Sequence, residues 1–115
     1  MGNEFYRPRI ADKLLRERLE AFGAILVEGP KWTGKTTTAM QHAKSVIKMQ
    51  DPDKADEYLE TAATMPSLLL KGEKPRLIDE WQDAPKIWDA VRVAVDDSGG
   101  LPGQYILTGS NTVDK

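Results

Sequence analysis

The amino-acid sequence predicts an α/β domain built on a parallel β-sheet. Short apolar runs, typical of buried strands, alternate along the chain with longer segments of helical composition. A glycine-containing loop follows the first apolar run and leads directly into a helical segment, and a later run ends in two adjacent acids. This order of strand, loop, helix and further strands is typical of parallel strands connected by helices.

Composition indicates one small domain without export or membrane signals. With 115 residues, 40% hydrophobic and 30% charged, the chain is long enough to bury a core. Its net charge of −2 gives no basic field that would attract nucleic acid or anionic lipid. The absence of cysteine excludes disulfides and thiolate metal sites, and it fits the reducing cytoplasm where we expect the protein. The apolar stretches are far too short to cross a membrane.

The first predicted elements are a helix from Ile10 to Phe22 and a strand from Ala24 to Val27. Gly23 ends the helix one residue before the strand begins. The strand is a short apolar run, as expected of a parallel strand buried on both faces. Five apolar residues recur at helical spacing and predict the core-facing stripe of the helix: Ile10, Leu14, Leu15, Leu19 and Phe22.

The segment from Gly29 to Thr36 fits the phosphate-binding loop pattern of Gly, four free positions, Gly, Lys and then Ser or Thr. It lies in the required context, between the apolar strand and a helix predicted from Lys35 to Lys44. The sequence therefore predicts a nucleotide-binding loop. Its predicted cofactor-binding residues are Gly29, Pro30, Lys31, Trp32, Thr33, Gly34, Lys35 and Thr36.

The chemistry expected of this loop is that of an anion site. Glycines allow backbone N–H groups to converge on phosphates, and the helix N-terminus adds a partial positive charge. Pro30 has no N–H, so the donors should come from Lys31 onward. We expect Lys35 to contact the β- and γ-phosphates as a catalytic residue, and the Thr36 hydroxyl to bind Mg²⁺.

A second strand is predicted from Ser45 to Met49, followed by a helix that begins with Asp51 as N-cap and Pro52 as first residue. This helix should end near Ala63, and a short helical turn should begin at Pro66. We expect the acids of the helix to form a solvated face rather than a metal site. These acids are Asp53, Asp56, Glu57 and Glu60.

Two acids end the third predicted strand, which runs from Arg76 to Glu80. Many phosphate-loop ATPases place a Mg²⁺-binding Asp and a water-polarising Glu in this way, opposite the loop. We expect Asp79 to hold the metal, usually through water, and Glu80 to orient the attacking water or accept its proton. Acids at strand ends are common, so this interpretation depends on the phosphate loop that precedes them.

A helix follows, and Asp83 is predicted to cap it, with a core face formed by Ile87, Trp88, Val91 and Val95. The fourth strand is predicted from Gln104 to Thr108. A polar group at the end of the strand beside the Asp-Glu strand can contact the γ-phosphate or the attacking water. Thr108 is the first candidate for this catalytic role, and the alternative is a threonine that merely closes the strand before a turn at Gly109.

Three stretches of the chain together resemble a prokaryotic family of AAA-type ATPases whose members carry a C-terminal domain of unknown function. The stretches are Phe22–Thr37, Leu77–Gln82 and Ile106–Ser110. The resemblance implies ATP and Mg²⁺ as ligands and a three-layer αβα fold. It also implies the roles given above for Gly34, Lys35, Thr36, Asp79 and Glu80, and a contact between Thr37 and the α-phosphate.

The resemblance further implies five parallel strands in the order 5-1-4-3-2, whereas the sequence predicts four strands. We therefore expect residues 1–115 to form an AAA-type P-loop NTPase domain that is truncated at its C-terminus, with about four of five strands present. The strand at Ala24–Val27 would then lie at an edge of the sheet. We expect that edge to pair with a second copy or to be covered by a terminal tail.

The resulting hypothesis is an ATP-binding module that hydrolyses Mg-ATP in a complete protein that self-associates. Two alternatives remain open: a nucleotide-gated interaction module without catalysis, and a small-molecule kinase that uses the same loop. The kinase is less favoured because such enzymes rarely place Glu beside the metal-binding Asp, and they need an arginine-rich lid that the sequence does not show. Neither a membrane nor nucleic acid is indicated as a partner by this segment.

Overall fold

The computed structural model describes residues 8–29 and 35–110, which form one parallel sheet between helices. Within these ranges the sheet has four strands in the order β1-β4-β3-β2. The strands are β1 (Ala24–Gly29), β2 (Ser45–Lys48), β3 (Arg76–Asp79) and β4 (Tyr105–Ser110). The helices are α1 (Pro8–Ala21), α2 (Lys35–His42), α3 (Ala55–Thr64) and α4 (Lys86–Asp97). Short 3₁₀ turns lie at Pro66–Leu70 and Trp81–Asp83.

Helices cover both faces of the sheet because successive residues of the central strands point in opposite directions. On one face, Leu77 of β3 and Ile106 of β4 are buried against residues of α1 and α2. On the other face, Ile78 and Leu107 are buried against α3, α4 and the 3₁₀ turn at Pro66–Leu70. The three-layer αβα architecture is thereby confirmed, with β3 and β4 at the centre of the core.

The predicted strands agree with the structure to within two residues at each end. β1 continues to Gly29 rather than ending at Val27, and β4 runs on to Ser110 rather than ending at Thr108. β2 and β3 each end one residue earlier than predicted. Among the residues that the structure describes, no helix is long and apolar enough to span a membrane.

The apolar stripe predicted for α1 is correct in part. Leu15 and Leu19 are buried, but Leu14 is 49% exposed and Phe22, just beyond the helix, is 56% exposed. Leu14 lies beside the free edge of β1, where no other described strand covers it. Trp88, predicted on the core face of α4, is also 41% exposed. Its ring packs on the ring of Trp81, and the two ring centroids are 5.3 Å apart.

Both predicted helix caps are wrong. Asp51 accepts a hydrogen bond from the Asp53 N–H through Oδ1, which forms a turn, and α3 begins only at Ala55. The carboxylate of Asp83 accepts a hydrogen bond from the Gln50 amide at 2.8 Å instead of capping α4. α4 begins at Lys86 without a side-chain cap. In both cases the acid bonds to a partner outside the first turn of the helix.

The edge position predicted for β1 is confirmed, because among the described strands β1 pairs only with β4. Leu26 of this strand is 37% exposed. An apolar edge with unpaired backbone groups is a template for another strand. What covers this edge stays a prediction.

We expect the β1 amides that do not bond to β4 to be protected from hydrogen exchange in solution, because a second copy or a terminal tail pairs with them. Exchange measured by mass spectrometry, together with the mass from light scattering, tests this. β2 is the matched control because it forms the opposite edge, where Val46 is also 37% exposed. A monomer whose β1 amides exchange as freely as those of the β2 edge would contradict the prediction.

Candidate functional site

The candidate site lies at the carboxyl edge of the sheet, where β1, β3 and β4 end and α2 begins. Because these strands are parallel, their polar C-terminal residues meet at one edge. The hydroxyl of Thr36, in the first turn of α2, donates a hydrogen bond to Asp79 Oδ1 at 2.8 Å. These residues are 43 positions apart in sequence, so the fold brings the end of the predicted phosphate loop to the acidic strand.

Asp79 is held by two hydroxyl groups. Thr108 lies opposite Asp79 in the β3–β4 register, and its hydroxyl donates to Asp79 Oδ1 at 2.6 Å. The Thr108 oxygen also accepts from the backbone N–H of Glu80 at 3.1 Å. A hydroxyl has one proton to donate, and Thr108, which is 0% exposed, gives it to Asp79. This leaves Thr108 no proton for another acceptor in this arrangement.

Glu80 begins the turn that follows β3 and adopts a left-handed backbone conformation, with φ 61° and ψ 54°. For a residue other than glycine this conformation costs about 1–2 kcal/mol. Glu80 is 6% exposed, and its carboxylate accepts hydrogen bonds from two side chains of the described residues. Gln82 Nε2 donates to Oε1 at 2.7 Å, and the Ser110 hydroxyl donates to Oε2 at 2.8 Å. The conformation therefore directs the carboxylate between the turn and the end of β4.

Gly109 allows this turn to pack closely on β4. A Cβ atom at this position would lie 3.1 Å from Gln82 Oε1 and 3.2 Å from Trp81 Nε1. Both of these polar atoms are buried and have no hydrogen-bond partner within the described part of the chain. A larger residue here would push Gln82 away from its present position beside Glu80.

A family model described as an AAA domain matches residues 21–115, which is most of the chain. The chain belongs to the AAA domain family. The matched range includes all four strands and every residue of the site described above. No curated protein matches the chain. Membership of this family indicates a nucleotide-binding, ATPase-like module.

The structure of this AAA domain brings Thr36, Asp79, Glu80 and Thr108 together, and their roles with a nucleotide stay predictions. Gly29 ends β1, Lys35 begins α2, and Thr37 is an exposed residue of α2. The remaining predicted loop residues lie outside the described ranges, as does the side chain of Lys35. These loop residues are Pro30, Lys31, Trp32, Thr33 and Gly34.

Gln82 and Ser110 are not among the predicted site residues, although both bond to Glu80. Ser110 could have been found from strand periodicity, because residues two apart share a face and Thr108 was already a candidate. Gln82 carries no comparable signal. Its position depends on the left-handed conformation of Glu80, which sequence does not predict for a glutamate.

The side chains of Thr36 and Asp79 fit a magnesium ion by their chemistry. Both offer hard oxygen atoms, and Mg²⁺ usually takes one or two protein oxygens together with water and substrate phosphates. The described residues of this AAA domain contain no group of three or more His, Cys, Asp or Glu side chains that could hold a metal alone. A metal at Asp79 would therefore be shared with a bound phosphate and water.

Proposed function

We propose that this AAA domain binds Mg-ATP at the carboxyl edge of its sheet and hydrolyses it. The observation that supports this best is the hydrogen bond between Thr36 and Asp79. It joins the last residue of a phosphate-loop sequence to a strand that ends in two acids. Family membership supports the nucleotide-binding part of the proposal.

In this proposal the phosphates lie between β1 and the N-terminus of α2. Backbone N–H groups from Lys31 to Thr36 surround the phosphate oxygens, and Lys35 adds a positive charge at the β- and γ-phosphates. Thr37 contacts the α-phosphate. A helix N-terminus favours negative charge because its first N–H groups have no partner within the helix.

Thr36 and Asp79 would hold Mg²⁺ in the proposed complex, with Asp79 acting through water. The ion would neutralise charge on the β- and γ-phosphate oxygens when bound. Thr108 keeps Asp79 in place by donating to Oδ1. Direct contact of Thr108 with the γ-phosphate stays a prediction, and it would require the hydroxyl proton to leave Asp79.

Glu80 is the proposed group that orients the attacking water and accepts its proton. The water oxygen forms a bond to the γ-phosphorus while the bond from that phosphorus to the ADP oxygen breaks. The proton lost by the water passes to the Glu80 carboxylate, and ADP leaves with the negative charge of the bridging oxygen. Burial of Glu80 limits competition from bulk water for this carboxylate.

A second candidate function is a nucleotide-gated interaction module that binds Mg-ATP without turnover. The observation that favours it is that both oxygens of the Glu80 carboxylate already accept hydrogen bonds. Measurement of phosphate release separates the two functions. Steady release supports hydrolysis, whereas a stable Mg-ATP complex without release supports the binding module.

Asp79→Asn is expected to remove most of the magnesium dependence of ATP binding. The amide oxygen can still accept from Thr36 and Thr108, so the fold should persist, but the negative charge that attracts the ion is lost. The ratio of ATP affinities with Mg²⁺ and with a chelator should fall by about tenfold, equivalent to about 1.4 kcal/mol.

The matched control for that variant is Asp89→Asn, which removes the same charge from an exposed residue of α4. It should show the wild-type ratio of affinities. An Asp79→Asn protein that folds and retains the full effect of Mg²⁺ on ATP binding would place the metal elsewhere.

A further inference from the structure

We propose that Gln82 is a positioning residue that, together with Ser110, fixes the Glu80 carboxylate in the orientation needed for turnover. The proposal rests on the proposed function, because it takes Glu80 to be the group that acts on the attacking water. Gln82 and Ser110 approach from different elements, the 3₁₀ turn after β3 and the end of β4. They contact different oxygens of the carboxylate, at 2.7 and 2.8 Å.

The bonding of the Gln82 amide indicates that its position serves Glu80. Nε2 donates to the carboxylate, while Oε1 is buried without a donor from the described residues. A buried polar atom without a partner destabilises the fold, so a purely structural glutamine would be expected to satisfy both ends. The opposite orientation of the amide would place two oxygens against each other. The amide is therefore oriented by the carboxylate alone.

Two donors on different oxygens have two consequences for a carboxylate. They restrict rotation about its terminal bond, because turning it would break both hydrogen bonds at once. They also favour the ionised form, which accepts hydrogen bonds more strongly than the protonated form. An ionised carboxylate in one fixed orientation is what a water-orienting group requires.

The test replaces Gln82 with methionine, which has a similar shape and no amide. Gln50→Met is the matched control, because Gln50 also donates its amide to a carboxylate, that of Asp83. In the nucleotide-free protein, a double-mutant cycle of Gln82→Met and Glu80→Gln measures the coupling between the two side chains from the urea midpoints of unfolding. We expect the midpoint of the double variant to differ from the sum of the two single effects, whereas Gln50→Met combined with Glu80→Gln should be additive.

Turnover provides the second readout. In Gln82→Met, kcat for phosphate release should fall about tenfold near neutral pH while the affinity for Mg-ATP stays at the wild-type value. In the Glu80→Gln background, Gln82→Met should cause no further fall in kcat, because the group that Gln82 positions is already absent. A residue with a merely structural role would lower kcat in both backgrounds.

The outcomes separate this proposal from the proposed function. If the wild-type protein releases no phosphate, hydrolysis by this chain is contradicted, and the coupling between Gln82 and Glu80 in unfolding alone decides the role of Gln82. If the wild type is active but Gln82→Met shows no coupling to Glu80 and an unchanged kcat, only the positioning role is overturned. Should Gln82→Met fail to fold, Ser110→Ala, which removes the other donor, must show coupling to Glu80 for the proposal to stand.

Discussion

Lys35→Ala is expected to abolish ATP binding at working concentrations. The variant removes a positive charge from the start of α2, where Lys35 is proposed to contact the β- and γ-phosphates. A hydrogen bond between charged groups contributes up to about 3 kcal/mol, which corresponds to about a 100-fold loss of affinity. Isothermal titration calorimetry with Mg-ATP measures the change directly.

Lys71→Ala is the matched control for this prediction, because it removes the same charge from an exposed residue outside the site. Its affinity for Mg-ATP should equal that of the wild type, which separates a local contact from a general effect of net charge. Thermal unfolding should give similar midpoints for both variants. A folded Lys35→Ala protein with wild-type affinity would remove this lysine from the phosphate site.

Glu80→Gln is expected to retain Mg-ATP binding and to lose phosphate release. The amide has nearly the shape of the carboxylate, but it cannot accept a proton from the attacking water. General base catalysis contributes about 100-fold to 10,000-fold in rate, so kcat should fall at least about 100-fold. Phosphate release under saturating Mg-ATP, together with the binding affinity, distinguishes loss of turnover from loss of binding.

Glu60→Gln provides the control for Glu80→Gln, since Glu60 is an exposed residue of α3. It should hydrolyse ATP at the wild-type rate. One of the two donors at Glu80 will face the new NH₂ group, so a modest fall in unfolding temperature is expected. If Glu80→Gln hydrolyses ATP as fast as the wild type, the water-activating role belongs to another residue.

The parallel sheet and the proximity of Thr36 to Asp79 could be predicted from sequence, because each depends on local sequence patterns. A buried parallel strand is a short apolar run, and the phosphate-loop pattern specifies the helix that follows it. Once the two strands are assigned to one parallel sheet, their carboxyl ends must lie at the same edge. The proximity of loop and acid follows from topology, without knowledge of side-chain conformations.

Features that depend on neighbours could not be predicted in the same way. The exposure of Leu14, Phe22 and Trp88 depends on which elements pack against an edge of the sheet. Helical periodicity predicts only which residues share a face of a helix, and it assumes that this whole face is packed against the core. Aspartate is a common helix cap, but Asp51 accepts a hydrogen bond from the Asp53 N–H and Asp83 accepts one from the Gln50 amide. Such competition between local and tertiary partners is decided only in the folded chain.

The contact of Gln82 with Glu80 could not be predicted for a related reason, whereas strand periodicity favours Ser110 as a site residue. The left-handed backbone of Glu80 turns the chain sharply after β3, and it directs the carboxylate toward both donors. Glutamate adopts that conformation rarely, so neither propensity nor spacing predicts it. Strained residues of this kind often lie at functional sites, where surrounding contacts compensate for their cost.

The central claim is that residues from the loop at the start of α2 and from the end of β3 together bind a magnesium-bound polyphosphate. Titration of the unmodified chain with ATP by calorimetry, in the presence of Mg²⁺ and again with a chelator, tests it most directly. The account predicts one ATP bound per chain with Mg²⁺ and clearly weaker binding without it. Failure of the folded chain to bind ATP under either condition would contradict it.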